Sequence, residues 1–360
     1  MATDRGALAA SRPLVGRIAH ARGRVFRLVV IGVVAVVIAG MLGIALGTVA
    51  VSPAETLAIL ARQLFGLDLG VATTPGAEAI VWDIRVPRIL TAMVVGTGLA
   101  VAGATFQGLL RNPLADPYVL GTASGAALGA AIAVLLPIRI AFLQFGLLQG
   151  FAFAGALVAI FVVYRLSRIG GLSPMTSLLL TGYAVGSLLA AGLALAMYLS
   201  GAALRQIFGF LLGGFDLASW ELLLGTAPII LIGSALILVR ARALNGMLLG
   251  EEAANHLGID VRRERAILLS LASLVTAAAV AISGLIGFVG LVVPHVVRLL
   301  VGPNARLVIP LSALFGAALL AYADVIARLL GDIPVGVVTA VIGAPFFLAL
   351  LRRTRTGYEL

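Results

Sequence analysis

Long apolar runs without a charged residue are the feature that most restricts how this chain can fold. Residues 90–110, 169–204 and 266–297 contain no Asp, Glu, Arg or Lys. An α-helix needs about 20 apolar residues to cross a bilayer, and a spanning segment must pair its own backbone polar groups. Only 11% of the residues are charged, whereas soluble domains carry about a quarter. The sequence therefore predicts an all-α, multi-pass membrane protein.

The apolar runs can be threaded as about ten transmembrane helices. Residues 266–297 are too few for two full crossings, so the eighth span is predicted to be short or broken between residues 283 and 290. This gives an N-terminal tail at 1–27, a ten-span domain at 28–351 that includes a large loop at 240–265, and a C-terminal tail at 352–360. The predicted spans are residues 28–51, 89–110, 118–137, 141–164, 176–199, 219–239, 264–283, 285–300, 307–326 and 334–351.

The distribution of arginine supports this threading. With the N-terminus inside, nineteen of the 25 basic residues fall on the cytoplasmic side, which is the bias expected of membrane proteins. Both tails are then cytoplasmic, and the net charge of +10 reflects sidedness rather than nucleic-acid binding. The six arginines predicted outside are Arg62, Arg85, Arg88, Arg139, Arg205 and Arg328.

The residue types exclude several classes of function. All 25 basic residues are arginine, so the chain lacks the lysine of a Walker A loop and cannot hydrolyse ATP by that route. It has no cysteine, and we find no metal-ligand cluster, nucleophile–base pair or paired carboxylates at the mouth of a span. The sequence indicates a protein that is not an enzyme and binds no metal or cofactor of its own.

Acidic residues are missing from the middle of the predicted spans. An ion-coupled transporter usually keeps carboxylates at membrane depth, whereas the acids here lie at span edges. His295 is the one titratable group inside a span, and it suits either a proton relay or packing at a helix end. An ion-coupled secondary transporter or exporter of a small molecule is therefore the alternative, and energy supplied by a partner is the first interpretation.

Two polar segments suggest where a partner and a moving part could lie. In the loop at 240–265, Glu251 and Glu252 can begin a short helix that Gly258 ends. That helix could dock on a protein or rest on the lipid surface, and the residues alone favour neither. At residues 109–121, LLRNPLADPYVLG, Pro113 and Pro117 should stop helices on both sides and leave either a simple hairpin loop or a stiff, movable elbow.

Five motifs occur in an order that resembles one known family. They are VWDIRVPRIL at 81–90, QGLLRNPLADPYVLG at 107–121, LLGEEAANHLG at 248–258, SGLIGFVGLVVPHVVRLL at 283–300 and PVGVVTAVIGAPFF at 334–347. Together they closely resemble the permease subunits of bacterial ABC importers for iron–siderophore, haem and cobalamin, the FecCD-type family. The resemblance covers the chain after about residue 25.

The resemblance implies an assembly and roles for particular residues. Two permease subunits, here expected to be identical copies, would stand above two ATPase subunits that bind ATP and Mg²⁺, and a periplasmic binding protein would deliver the substrate. Spans 2–5 and 7–10 would form an inverted repeat. The implied residues are the gate at Asn112, Leu114, Met175 and Thr176; the docking arginines Arg85, Arg88 and Arg328, expected at an exposed rim; the ATPase-coupling segment Gly250, Glu251, Glu252, Ala253, His256, Leu257 and Gly258; and a substrate contact at Arg205 and Gln206.

The expected function is thus that of the permease subunit of an ATP-driven importer. It would move an iron–siderophore, haem or cobalamin across the bacterial inner membrane into the cytoplasm. The coupling motif at 250–258 favours a protein partner over the lipid surface.

Overall fold

A computed structural model describes residues 4–136, 146–167 and 174–355 of the chain, with side chains for 22–136, 146–167 and 176–349. Over these residues the secondary structure is helical, without a strand. A π-helical stretch at Ala79–Arg85 and 3₁₀ turns at Pro117–Leu120 and Gly201–Ala203 supplement the α-helices. The α-helices are α1 Asp4–Ala45, α2 Pro53–Phe65, α3 Pro75–Glu78, α4 Val86–Leu109, α5 Thr122–Leu135, α6 Leu147–Leu166, α7 Pro174–Leu199, α8 Leu204–Leu212, α9 Trp220–Val239, α10 Ala241–Leu248, α11 Glu251–His256, α12 Val261–Ser283, α13 Val289–Val301, α14 Ala305–Leu329 and α15 Val335–Arg355.

Helix α4 forms the centre of the bundle and packs against α9, α12, α13 and α14. Its small residues permit close approach: a Cβ added at Gly96 would collide with the backbone of Gly316, and one at Gly103 with the backbone of Gly290. In a membrane, where lipid competes with apolar side chains, such close backbone contact is a main source of helix association.

The peripheral helices expose their apolar faces. In the most apolar part of α1 and of α7 only 17% of the residues are buried, against 78% along Pro75–Leu109. Leu188 and Leu195 on α7 are mostly exposed. An apolar surface of this extent requires lipid or another subunit around it.

Seven helical segments are long and apolar enough to cross a membrane, judged over the described residues. They correspond to seven of the ten predicted spans. The third, eighth and tenth predicted spans correspond to shorter apolar helices, Thr122–Leu135, Val289–Val301 and Val335–Ala349. The all-helical, multi-pass architecture is confirmed, while the number of ten crossings stays a prediction.

The predicted interruption of the eighth span is present. Helix α12 ends at Ser283, and α13 begins at Val289 after a non-helical segment. Gly284 and Phe288 both have left-handed backbone angles, with φ of 66° and 69°. We call residues 284–288 the break.

The second predicted span begins earlier than the sequence suggested. Residues Pro75–Leu109 form one continuous helical rod. The rod starts at Pro75 because the side chain of Thr74 accepts a hydrogen bond from the N–H of Ala77 and Pro75 suits the first turn of a helix. The π-helical stretch comes just before Pro87, whose missing N–H disturbs regular α-helical pairing. Arg85 and Arg88 therefore lie within this helical rod. The predicted span, which starts at residue 89, had placed both arginines before the helix.

The N-terminal part of the chain also differs in its boundary. Helix α1 begins at Asp4 and continues to Ala45, so the predicted tail and first span form one helix. Residues 137–145, which comprise the last residue of the third predicted span, the loop after it and the start of the fourth predicted span, lie outside the described residues, as does the segment 168–173.

Candidate gating, coupling and docking sites

The elbow, residues 110–121, joins the end of α4 to α5. Helix α4 ends with two hydrogen bonds, from the N–H of Arg111 to Gly108 O at 3.3 Å and from the N–H of Asn112 to Gln107 O at 3.2 Å. Arg111 has φ 47°. The Asn112 side chain then accepts from the N–H of Leu114 at 2.9 Å, and Asp116 accepts from the N–H of Tyr118 at 2.8 Å. These bonds make the elbow a defined structure and not an open loop.

The end of α4 that precedes the elbow and the far end of the elbow are anchored to α13 and to the break. Gln107 donates to Leu291 O at 3.0 Å and accepts from Arg298 at 3.2 Å. The hydroxyl of Tyr118 donates to Ile286 O at 2.9 Å. Burial raises the pKa of Asp116, which the hydrogen bond from the Tyr118 N–H opposes. The sequence did not single out Gln107, Tyr118 or Arg298 as anchors, although a glutamine near the end of an apolar helix is a usable signal.

The expected gate residues occupy two places. Asn112 and Leu114 are exposed in the elbow. Thr176 lies exposed in the first turn of α7, and the side chain of Met175 lies outside the described residues. Helix α7 meets the 3₁₀ turn of the elbow further along, where a Cβ at Gly182 would touch Val119 O.

The large loop folds as two short helices, α10 and α11. Helix α11 is the short helix that the sequence predicts between Glu251 and Gly258. Gly250 precedes α11 with φ 121°, and Gly258 follows it with φ 76°. Ala254 is fully buried and Ala253 partly buried, whereas Glu252, His256 and Leu257 are exposed. Glu251 is engaged within the chain, because its carboxylate pairs with Arg265 on α12. The exposed face of α11 is therefore formed chiefly by Glu252, His256 and Leu257.

The loop is fixed to the bundle at several points. Arg240 pairs with Glu264 at 2.5 Å. The side chain of Asn245 accepts from the N–H of Ala305 at 2.7 Å and donates to Asn304 at 2.8 Å. These contacts join the loop to α12 and to the start of α14.

The loop also contacts the end of α4 and the elbow. Leu244 is buried, and a Cβ at Gly108 would lie 2.9 Å from its side chain. The guanidinium of Arg111 donates to the carbonyl of Met247. The coupling and gate segments are thus direct neighbours.

Opposite the elbow end of α4, the three expected docking arginines lie together. Arg85 donates to Ile44 O at 2.9 Å, Ala45 O at 3.1 Å and Val49 O. Arg328 donates to Leu46 O at 2.8 Å. These bonds fasten the end of α1 to α14 and to the helical rod.

Arg88 and Arg328 share buried Asp324. The Arg88–Asp324 and Arg328–Asp324 nitrogen–oxygen distances are 2.9 and 3.1 Å. Arg88 also lies 3.0 Å from Asp216 and 3.9 Å from Asp332, whose side chains are 68% and 44% exposed. We call these five residues the ionic network.

The expectation of an exposed arginine rim is therefore not what the structure shows. Arg85 and Arg328 are buried, and the side chain of Arg88 is 12% exposed. A buried cation is tolerated only with partners that replace its hydration. Ion pairs and backbone carbonyls supply these partners for Arg85 and Arg88 and in part for Arg328, whose Nε and Nη2 make no hydrogen bond to the described residues. Within the ionic network, the most exposed charges are Asp216 and Asp332.

Arg205 and Gln206 lie in α8, a short helix between the fifth and sixth predicted spans that the sequence does not predict. Gln206 lines a cavity of about 240 Å³ together with Gln149, Asp216 and Ser283, whereas Arg205 is exposed outside that lining. Among the described residues no group of three or more His, Cys, Asp or Glu side chains could hold a metal.

Comparison with known proteins identifies the family. The FecCD transport family matches residues 35–353, nearly the whole chain. The chain belongs to the FecCD transport family. The cobalamin import system permease protein of Halobacterium salinarum is 47% identical over 301 residues, which are 83% of this chain and 79% of that protein. The hemin transport system permease protein of Yersinia pestis is 42% identical over 282 residues, 76% of this chain and 84% of that protein.

The fold agrees with this assignment. An inward-facing ABC transporter assigned to the metal-chelate type has a TM-score of 0.78 and 31% identity, covering 91% of this chain and 98% of that one. The FecCD protein is a multi-pass membrane permease of the ABC importer class, and the resemblance inferred from the five motifs is confirmed. The permease proteins that it resembles are transport subunits, which are not enzymes themselves.

Proposed function

We propose that this FecCD permease imports a bulky metal chelate of the iron–siderophore, haem or cobalamin class from a periplasmic binding protein into the cytoplasm. The observation that carries the proposal is the 47% identity to a cobalamin permease together with 42% identity to a hemin permease. The chain lacks lysine and so cannot supply a Walker A loop, which supports the proposal that ATP and Mg²⁺ bind to separate ATPase subunits. The assembly would contain two identical permeases, two ATPases and one binding protein.

The orientation follows from the two ends of the bundle. The elbow, α10 and α11 lie at one end, and the ionic network lies at the other. Helix α1 ends near the network and α15 starts near it. The N-terminal end of α1 and the C-terminal end of α15 therefore extend towards the elbow end. We assign the elbow end to the cytoplasm, which makes both chain termini cytoplasmic and the membrane the bacterial inner membrane.

Asn112 and Leu114, with Met175 and Thr176, would close the cytoplasmic mouth. The support is the exposure of Asn112 and Leu114 on a structured elbow beside the coupling loop. The segment Gly250–Gly258 would seat in a groove of the ATPase through Glu252, His256 and Leu257. Here Gly250 and Gly258 set the entry and exit, and Glu251 and Ala253 hold α11 on the bundle.

The ionic network would receive the binding protein. Arginine forks bind carboxylates in a bidentate manner, so acidic side chains of the binding protein could compete with exposed Asp216 and Asp332 for Arg88, next to Arg85 and Arg328. On the same face, Gln206 lines the cavity beside Asp216 and is the better placed of the two expected substrate contacts. Arg205 would then act at the surface.

The test is reconstituted uptake. Proteoliposomes containing the permease and its ATPase, with binding protein outside and ATP inside, are offered cobalamin, haem and a ferric siderophore in turn. We expect ATP-dependent accumulation of one of the three. Accumulation driven by a proton or sodium gradient without the ATPase would contradict the proposal and favour an ion-coupled transporter.

A further inference from the structure

Arg111 occupies a position at which helices normally place glycine. Where α4 ends, the N–H groups of residues 111 and 112 bond to the carbonyls of 108 and 107. Where α11 ends, the N–H groups of residues 258 and 259 bond to the carbonyls of 255 and 254 in the same pattern. This motif needs a left-handed residue at its turning point, which is Gly258 with φ 76° in one case and Arg111 with φ 47° in the other. A side chain at that position strains the backbone, so its presence calls for a reason.

The side chain of Arg111 leaves the elbow and reaches α10. Its guanidinium donates to the carbonyl of Met247, one turn before the chain enters α11. Among the described residues this is the one hydrogen bond between the elbow and the loop formed by α10 and α11. It lies immediately before the exposed residues Asn112 and Leu114.

The receiving segment is suited to transmit movement. Met247 is 4% exposed, and Gly246 beside it packs so closely against Ile259 that an added Cβ would clash. Because Ile259 follows α11, this direct packing joins α11 to α10, and a displacement of α11 can be passed to α10. The elbow region also contacts α13 and the break, through Gln107 and Tyr118 at its two sides and through His295, which interacts with the backbone of Pro113. The Arg111 bond acts between those anchors.

We propose that Arg111 is a positioning residue that transmits displacement of the coupling segment α10–α11 to the elbow and so to Asn112 and Leu114. The inference rests on the proposed function, since it assumes that the ATPase acts on α11 and that the elbow closes the pathway. It adds the physical link between the two. The side chain supplies a charge-assisted hydrogen bond to a backbone carbonyl, so substitution of Met247 would not remove the acceptor.

The chain contains no cysteine, which permits a test by chemical replacement of the side chain. In the reconstituted complex, Arg111→Cys should retain ATP hydrolysis, while substrate moved per ATP falls about tenfold, the scale of one charge-assisted hydrogen bond. Treatment with aminoethyl methanethiosulfonate, which adds an ammonium group on a stem of similar length, should restore most of the ratio. Methyl methanethiosulfonate, which adds a neutral group, should not.

Two controls accompany this test. The parent complex is treated with both reagents, so that effects on partner thiols are known. Arg306→Cys removes an exposed arginine at the start of α14, outside the coupling segment, whose side chain makes no hydrogen bond or ion pair to the described residues, and it should leave the ratio unchanged. An unchanged ratio in Arg111→Cys, or equal rescue by the neutral reagent, would overturn the inference.

A glycine variant separates the link from backbone strain. Arg111→Gly relieves the left-handed backbone but removes the donor, so it should be as poorly coupled as Arg111→Cys. Normal coupling in Arg111→Gly would show that the side chain transmits nothing and would refute the proposal.

A distance measurement tests the link without transport. Spin labels on Leu114→Cys and Leu249→Cys, both exposed positions, are placed on the purified full chain. The inter-label distance distribution should be narrow with Arg111 and broaden in Arg111→Gly, whereas no change would exclude the link. If uptake fails in the parent complex while this broadening is seen, the proposed function fails and the link stands.

Discussion

Among single residues, Asp324 has the most demanding environment of the ionic network. Its side chain is completely buried between Arg88 and Arg328. Desolvating a carboxylate costs several kcal/mol, and here two guanidinium groups offset that cost. The same carboxylate pairs with both arginines, so its removal leaves buried Arg328 without an ion pair and Arg88 with only the exposed carboxylates of Asp216 and Asp332.

We therefore expect Asp324→Asn to destabilise the permease strongly. A broken buried ion pair costs about 3–5 kcal/mol, which should appear as a large fall in the unfolding temperature of the detergent-solubilised protein. Asp216→Asn is the matched control, because its carboxylate also pairs with Arg88 but is 68% exposed, and exposed pairs contribute little. Equal unfolding temperatures for the two variants would contradict a structural role of Asp324.

The composition of this network could not be predicted from the sequence. The arginines were recognised by position in a motif, but Arg88 and Asp324 are 236 positions apart and meet only after α4 and α14 pack. Of the contacts, Asp324–Arg328 alone had a local signal, since residues four apart share a helix face. When its carboxylate partners are not known, an arginine near the end of a span is predicted to be exposed. This explains why the sequence placed the three docking arginines at an exposed rim.

At the scale of elements, α4 depends on glycine for its place at the centre. A Cβ at Gly103 would fall on the carbonyl group of Gly290 near the start of α13. A backbone group cannot turn aside as the end of a side chain can, so the two helices would have to separate. That separation would also disturb the bond from Gln107 to Leu291 O, one turn further along.

Gly103→Ala should accordingly destabilise the permease and impair uptake. Overpacking of this kind costs about 1–3 kcal/mol, measurable as a lower unfolding temperature. Gly150→Ala in α6 makes the same chemical change at a site with nothing within 4 Å, and it should be neutral or slightly stabilising. A neutral Gly103→Ala would show that α4 and α13 are not packed as described.

Helix α11 allows the roles of its two glutamates to be separated. Glu252 is exposed, whereas Glu251 pairs with Arg265. Glu252→Arg should leave the unfolding temperature unchanged and lower ATP-driven uptake about tenfold, because it reverses the charge of an exposed side chain in the proposed ATPase interface. Glu251→Arg should lower the unfolding temperature as well, because it sets two arginines side by side. Normal uptake and normal co-purification of the ATPase with Glu252→Arg would contradict the assignment of α11 to the ATPase interface.

The elements themselves were partly predictable. Apolar run length predicted the helices, and the shortness of residues 266–297 predicted the break before α13. The start of the helical rod was not predicted, because Thr74, Pro75 and the π-helical stretch extend it through a charged segment that hydropathy alone excludes. Helix α8 was missed because nine residues are too few for a span and give little periodic signal.

At the scale of the whole molecule, the two ends of the bundle carry different kinds of contact. At the network end, arginines pair with buried or exposed carboxylates and donate hydrogen bonds to backbone carbonyls of α1. At the elbow end, short helices and an exposed α11 lie beside the hydrogen-bonded elbow. The proposed function, in which cargo arrives at one end and force acts at the other, requires such a division. Helices α4 and α14 supply structural continuity between the two ends.

This division predicts which positions each side of the membrane can reach. Leu217, beside the network, is 62% exposed, and Leu249, between α10 and α11, is 70% exposed. Since the chain has no cysteine, Leu217→Cys and Leu249→Cys each introduce a unique thiol. In intact spheroplasts an impermeant maleimide should label Leu217→Cys and spare Leu249→Cys, and both should react after the membrane is opened. The cysteine-free parent sets the background, and matched exposure makes the comparison independent of local burial. Labelling of Leu249→Cys from outside would place the coupling loop on the wrong side for an ATPase, because ATP is cytoplasmic, and the proposed assembly could not form.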